Sequence, residues 1–365
     1  MRVAIVHYWL VNMRGGEKVV EAILDLFPNA DIYTNVYDPS SMPSSITSKK
    51  IYTSYIQKFP FAKKFYQKYM PFMPKAISEL NLQDYELVIS SESGPAKGII
   101  PDVDAFHICY CHSPMRYLWD MFHEYFRNTN FIVRFFMKRL IPKLRLWDVT
   151  SSNLVDSFIA NSSYVAKRIK RYYNRDCHVV FPPVDIEKFS PVERNPKDYY
   201  LFFGQLTGYK RADLAIEACI QSNRKLFVAG SGMSKKELKR YAKKGVITFT
   251  GRISDSELLD LYAGAKALLF PGIEDFGIIP VEANAAGCPV IAFRKGGALD
   301  SVKEGVTGMF FNEQTVESLV KAMDEFEKQE ANFLDRLPYI EHVKQFSMKT
   351  FKSKFAKIAE ERKRI

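Results

Sequence analysis

Two carboxylates, Glu274 and Glu282, stand eight positions apart in IEDFGIIPVEANAAG, with Gly277 and Pro280 between them. Paired carboxylates can work as acid and nucleophile or base on a glycosidic bond, at separations of about 5–9.5 Å. On one continuous helix, residues so spaced would lie about 12 Å apart along the axis and roughly 80° apart around it. Closer approach needs a loop ahead of the helix, and the sequence supplies one. FPGIEDFG is turn-rich and follows the strand-like KALLF, while Pro280, lacking an amide hydrogen, fits only a first helical turn. Glu274 is therefore expected in the loop and Glu282 just inside the helix. Phe276, Gly277 and Ile278 then fall at the helix start, where free N–H groups and the dipole attract anions. Gly277 lets a phosphate come close to the backbone. A phosphate between two carboxylates that grip hydroxyls describes a nucleotide sugar; two acids merely sitting at a helix start is the simpler alternative.

Other residues qualify by type and place. Lys210, in GYKRADLAIEA, opens a helix at the end where a cation is electrostatically disfavoured. Gly15 and Gly16 end the first strand-loop and open a helix, so they either cradle phosphate, admit an acceptor, or form a plain tight turn. His112 closes the strand HICYC ahead of Ser113-Pro114. Arg116 could meet a phosphate or pair with Asp120 on one helix face. The triplet Asp102-Val103-Asp104 has the form of a metal-holding D-x-D, but after Pro101 it reads as a turn, and no metal is expected.

The elements that must position these residues alternate strand and helix throughout. RVAIVHYW, ADIYTNVY, ELVIS, AFHICYC, DSFIANS and HVVFPPV are strands, and EKVVEAILDLF is an amphipathic helix. The proline-bearing FSPVERNPKD reads as a linker, after which YYLFFGQL, KLFVAGSG, VITFTG, KALLFPG and PVIAF restart the series with helices between, SKKELKRYAKK among them. Near-continuous apolar strands alternating with helices imply parallel sheets covered on both faces. We expect an α/β protein of two Rossmann-like, doubly wound domains, residues 1–185 and 186–345, with ligands beyond the strand carboxyl ends in a cleft between them. Residues 346–365 form a basic amphipathic helix expected to pack back across the domains.

The 365 residues carry 52 basic and 41 acidic side chains, a formal charge of +11, so an acidic partner is called for. Residues 49–75 hold seven lysines, eight aromatics and no acid, and residues 125–147 hold six basic side chains among aromatics. Such composition on short helices suits an anionic lipid surface, or a solvated face over an aromatic core. No nucleic-acid-binding signature is present, so no nucleic-acid partner is expected. No apolar run approaches the ~18–20 residues that span a bilayer. We expect a cytoplasmic protein, peripheral on the inner face of the cytoplasmic membrane. The five cysteines lack zinc-finger spacing and read as buried free thiols. Nothing in the sequence speaks to oligomeric state.

PGIEDFGIIPVEANAAGCPVIAF resembles the E-x7-E signature of family 4 of the retaining glycosyltransferases, which have the GT-B fold. GGEKVVE, YCHSPMRYLWD, FPPVDIEKF, FFGQLTGYKRADLAIEA, GRISDSELLDLYAGAKALLFP and KGGALDSVKEGVTGMFF agree in order, so the resemblance spans essentially the whole chain. YCHSPMRYLWD and LTGYKRADLAIEA look most like bacterial mannosyltransferases of O-antigen or exopolysaccharide assembly. The resemblance implies a donor site in which Glu282 grips the ribose hydroxyls and Glu274 a hydroxyl of the transferred sugar. Phe276, Gly277 and Ile278 would offer N–H groups to the donor, Gly204 would line it, and Lys210 would neutralise the leaving diphosphate. His112 would bond the donor sugar near its reactive carbon. One departure stands out. The family usually has arginine at the position of Gln205, and glutamine carries no charge; either Arg211 or Arg252 would supply it. The implied donor is GDP-mannose and the acceptor a lipid-linked oligosaccharide, with no cofactor. A transferase using a UDP-sugar or another acceptor, a sugar-nucleotide epimerase or phosphorylase on the same fold, and a basic lipid- or nucleic-acid-binding module are the competing readings. A NAD-dependent dehydrogenase is disfavoured because the Gly15-Gly16 loop lacks G-x-G-x-x-G spacing.

Overall fold

The computed structural model describes residues 1–365 apart from 93, 127–130, 191–192, 234–239, 242–244 and 362–365. Parts of the 125–147 segment, of the linker and of the SKKELKRYAKK helix therefore lie outside the described residues. The chain divides into two compact units, Met1–Pro183 with Phe351–Ile365, and Val184–Thr350.

The first unit is built on a parallel seven-stranded sheet. Its strands are β1 (Val3–His7), β2 (Asp31–Thr34), β3 (Ile51–Thr53), β4 (Leu87–Glu92), β5 (Phe106–Cys111), β6 (Ser157–Ala160) and β7 (Cys177–Val179). They run in the order β3-β2-β1-β4-β5-β6-β7, so the strand order reverses between β1 and β4. Strand β3 was not foreseen: it lies in the basic-aromatic segment, which continues as the short helices Tyr55–Lys58, Ala62–Phe65, Tyr66–Phe72 and Met73–Ser78. β1, β4 and β5 are buried almost throughout, as a sheet covered on both sides demands, with polar side chains such as Ser90, Ser91 and Glu92 among the apolar ones. The helix Gly15–Leu26 lays Val19, Val20, Ile23 and Leu24 onto one face, where Phe351 and Phe355 of the helix Met348–Glu360 also pack beside Tyr110. All five cysteines are free, and Cys109 and Cys111 share one buried cluster.

Beneath β4 and β5 the core holds charge. Lys97 is fully buried, ion-paired to Asp148 of the helix Phe131–Ser151, with Glu92 4.0 Å away. Asp148 also accepts from Trp119 Nε1 at 2.7 Å and from Tyr173 Oη at 3.0 Å. Gly98 fits under Trp147, whose Cζ2 would be 2.2 Å from any methyl group there.

The second unit has six parallel strands: β8 (Tyr200–Phe203), β9 (Leu226–Ala229), β10 (Ile247–Gly251), β11 (Leu268–Phe270), β12 (Val290–Phe293) and β13 (Gly308–Phe311). The order β10-β9-β8-β11-β12-β13 reverses between β8 and β11. Each unit is thus a doubly wound Rossmann-like sheet, the expected α/β class. In such sheets the crevice at the carboxyl ends of the two strands flanking the reversal receives ligands.

Candidate functional site

In the second unit that crevice is where the expected donor residues gather. β8 ends at Phe203 and hands over to Gly204, Gln205 and a 3-10 turn, Gly208–Lys210, ahead of the helix Ala212–Gln221. β11 ends at Phe270 and leads through Glu274 to the helix Ile278–Ala285. Glu274 thus lies in the loop, while Glu282 is partly buried at the fifth helical residue. Pro280 occupies the first turn and Gly277 caps it at φ +87°, a left-handed conformation that glycine adopts without strain. Phe276 is buried and meets Phe346 edge-on at 5.6 Å, which fixes the backbone ahead of the helix.

Lys210 and Glu274 meet across the crevice: Nζ lies 3.0 Å from Oε1, with 13% and 18% of the side chains exposed. Oε1 is closed off yet accepts no aligned hydrogen bond, so the contact is electrostatic. The same ammonium would lie 3.3 Å from a methyl group on Gly204, whose φ is +139°.

Backbone contacts hold both residues in place. A methyl on Gly272 would sit 2.8 Å from Lys210 Cα; one on Gly296 would be 2.6 Å from Glu274 O, and one on Gly297 2.3 Å from Phe276 Cα. Gly297 N–H also donates to Glu274 O at 2.9 Å. Gly296 and Gly297 belong to the KGG that follows β12, and their positioning role was missed. The signal was there, a glycine pair two residues beyond a strand end.

The two candidates to replace the missing arginine differ. Arg211, at φ +55°, is held by Asp213, whose carboxylate oxygens are both 3.1 Å from Nε. Arg252, after β10, is exposed and has no ion pair among the described residues, and Gln205 is exposed as well.

In the first unit, Gly15, Gly16 and His112 converge on the carboxyl ends of β1, β4 and β5. Gly15 is the first residue of the helix Gly15–Leu26. A methyl on Gly16 would lie 3.4 Å from Tyr8 Oη, 3.5 Å from His7 Cε1 and 3.7 Å from His112 Nε2. His112 Nε2 is 2.9 Å from Ser91 Oγ, and burial next to His7 pushes its pKa down to about 3. The ring is therefore neutral at pH 7, a hydrogen-bonding group rather than a cation. His7 and Glu17 are both buried, and neither was foreseen; burial opposes ionising Glu17, but the facing imidazole and the Arg14 N–H hold its pKa below the usual carboxylate value. Arg116 lies in a turn rather than on a helix, with Met121 Sδ 4.0 Å from Nη1, and Asp120 is engaged by Arg168 at 2.5 Å. Asp102 Oδ1 accepts Asp104 N–H at 3.2 Å, closing the turn read from the sequence.

Comparisons with known proteins bear on this geometry. Residues 13–188 match the model described as Glycosyltransferase Family 4, and residues 184–345 the one described as Glycosyl transferases group 1. The chain is 30% identical over 185 residues to D-inositol 3-phosphate glycosyltransferase 2 of Catenulispora acidiphila, covering 42% of this chain and 43% of that protein. Over 212 residues it is 28% identical to the alpha-1,3/1,6-mannosyltransferase ALG2 of Mus musculus, covering 48% and 51%. It spans about half the length of the curated relatives it matches. The Anabaena protein HepE, solved in complex with UDP, superposes with a TM-score of 0.70 at 16% identity over 99% of this chain and 100% of that one. With two doubly wound sheets of GT-B type and family matches that jointly run from residue 13 to residue 345, the chain belongs to family 4 of the glycosyltransferases.

Proposed function

We propose that the protein is a retaining, metal-independent glycosyltransferase that moves a hexose from a nucleotide sugar to a lipid-linked oligosaccharide in surface polysaccharide synthesis. The observation that carries this reading is the Lys210–Glu274 pair at 3.0 Å, set at the strand-order reversal beside a glycine-capped helix start. Lys210 and the N–H groups at Phe276, Gly277 and Ile278 neutralise the departing diphosphate. Glu274 binds a hydroxyl of the transferred sugar and Glu282 the ribose hydroxyls. His112, neutral, donates or accepts a hydrogen bond near the reactive carbon. The departing phosphate oxygen takes the acceptor hydroxyl's proton while the acceptor attacks from the same face, so neither glutamate serves as nucleophile or general base.

The donor we favour is GDP-mannose, by the likeness of YCHSPMRYLWD and LTGYKRADLAIEA to bacterial mannosyltransferases; the ALG2 relative is named a mannosyltransferase. A UDP-sugar is the second reading, supported by HepE, which was solved with UDP. Among the described residues no helix is long and apolar enough to cross a membrane. Exposed Phe61 and Phe72 stand among exposed Lys58, Lys63, Lys64 and Lys68, a surface suited to anionic lipid on the cytoplasmic side.

A thermal-shift panel of GDP- and UDP-sugars tests the donor, because a ligand of the folded state raises its stability by mass action. Stabilisation by GDP-mannose supports the assignment; stabilisation by UDP-sugars alone replaces mannose with the second reading. Release of free epimerised sugar, or of sugar phosphate with added phosphate, would instead favour the epimerase or phosphorylase.

A further inference from the structure

Lys210 lies beside the Glu274 carboxylate, and the proposed diphosphate would be a second anion at the same ammonium. Its ammonium lies 3.0 Å from Glu274 Oε1 and beside Gly204, where the proposed diphosphate would approach the end of β8. Neighbouring backbone crowds the contact from both sides. Gly272 abuts Lys210 Cα, Gly296 and Gly297 abut the backbone from Glu274 to Phe276, and Gly297 N–H is bonded to Glu274 O. The two side chains are the parts free to adjust with least disturbance of that packing. Both are more than four-fifths buried, so an unmatched charge on either is costly.

Resting on the nucleotide-sugar reading above, we infer that Glu274 makes the site discriminate between intact donor and spent nucleotide. A bare nucleoside diphosphate draws Lys210 toward its phosphates and leaves the Glu274 carboxylate partly unmatched, in a pocket where it also repels the incoming anion. An intact donor brings sugar hydroxyls that donate to that same carboxylate, so its charge stays satisfied while Lys210 turns to the diphosphate. Once the sugar has been transferred, those donors are gone. Glu274 then recaptures Lys210 and weakens the hold on the product. The Lys210–Glu274 pair is thus the arrangement to which the site returns once the sugar has left, and loss of the sugar is coupled to loss of the nucleotide.

The test is equilibrium titration of wild type and Glu274→Gln with GDP, GDP-mannose, UDP and UDP-glucose. Glu274→Gln keeps the shape and removes the charge. In the variant, the nucleoside diphosphate should bind on the order of tenfold more tightly, while the matching donor binds more weakly by a similar factor. Product inhibition should tighten in step. Glu282→Gln serves as the contrast: it should weaken diphosphate and donor together, because both carry the ribose. A nucleoside diphosphate that binds Glu274→Gln no more tightly than wild type overturns the inference while leaving the donor assignment standing. Absence of any nucleotide or nucleotide-sugar binding to wild type overturns the donor assignment, and this inference with it.

Discussion

Glu17 faces His7 across 3.6 Å, with both side chains shut away from solvent, and its second oxygen accepts Arg14 N–H at 3.0 Å. One carboxylate thus fixes the start of the helix that carries Gly15 and Gly16 and matches an imidazole beneath His112. Glu17→Ala should cost about 3 kcal/mol or more in urea unfolding, since a buried partner is orphaned and a helix cap is lost. The pH dependence has a definite sign. The folded pKa of Glu17 is lowered, so its contribution is present above the unfolded value, near 4.5, and fades as pH falls through the folded one. Wild type should therefore lose more stability than Glu17→Gln on acidification below about pH 4.5.

Glu92 gives the opposite slope. Burial raises its pKa from 4.5 to about 8, against the pull of Lys97. Folding then favours the protonated acid, and stability declines as pH rises from the unfolded value toward 8. Glu92→Gln should flatten the stability profile between pH 5 and pH 8, which thermal unfolding across a buffer series would reveal. A profile identical to wild type would show that Glu92 stays ionised.

Asp148 is the acceptor on which Lys97, Trp119 and Tyr173 all converge. Asp148→Ala leaves a fully buried ammonium without its nearest counter-charge and should destabilise by about 3–5 kcal/mol. Replacing Lys97 with methionine in the same background should recover part of that loss, because it removes the stranded charge. Denaturant midpoints of the single and double variants decide it.

Gly297 tests how tightly the loop that carries Glu274 is placed. A methyl there must displace Phe276 Cα and its carbonyl, each 2.3 Å away, and with them Glu274. Under the proposed function, Gly297→Ala should lower kcat/KM about a hundredfold, the scale of a reacting-group misplacement near 1 Å. Gly305→Ala is the contrast, with φ +71° but nothing within 4 Å of the added methyl. It should cost only about 1 kcal/mol of backbone strain and leave kcat/KM near wild type.

Under the proposed function, Glu282→Ala should raise the donor dissociation constant about tenfold or more while the folded state persists, because a charged acceptor for ribose hydroxyls would be lost. Unchanged donor affinity in this variant would remove Glu282 from the donor site.

The loop-then-helix placement of Glu274 and Glu282 was legible because proline and glycine constrain the backbone locally. Strand-helix alternation likewise revealed the sheets, since apolar runs bounded by turns read the same in any context. The Lys210–Glu274 contact was not legible: the pair lies 64 positions apart, and only the parallel order of β8 and β11 brings their loops together. His7, Glu17 and Ser91 escaped notice for the same reason, each unremarkable until three strand ends meet. Strand β3 was hidden by its surroundings, since three residues amid lysines and aromatics show no period.

Phe351 and Phe355 close the hydrophobic face against Tyr110, yet they are encoded after the whole of the second unit. On the ribosome, the first unit therefore emerges with part of its core still unmade. Domains that finish in sequence order can fold as they leave the exit tunnel; this one must wait until the second unit has been made. A stop or frameshift near residue 345 would spare every proposed donor-site residue and still leave the first unit with an open apolar face, a substrate for chaperones and proteases rather than a shortened enzyme.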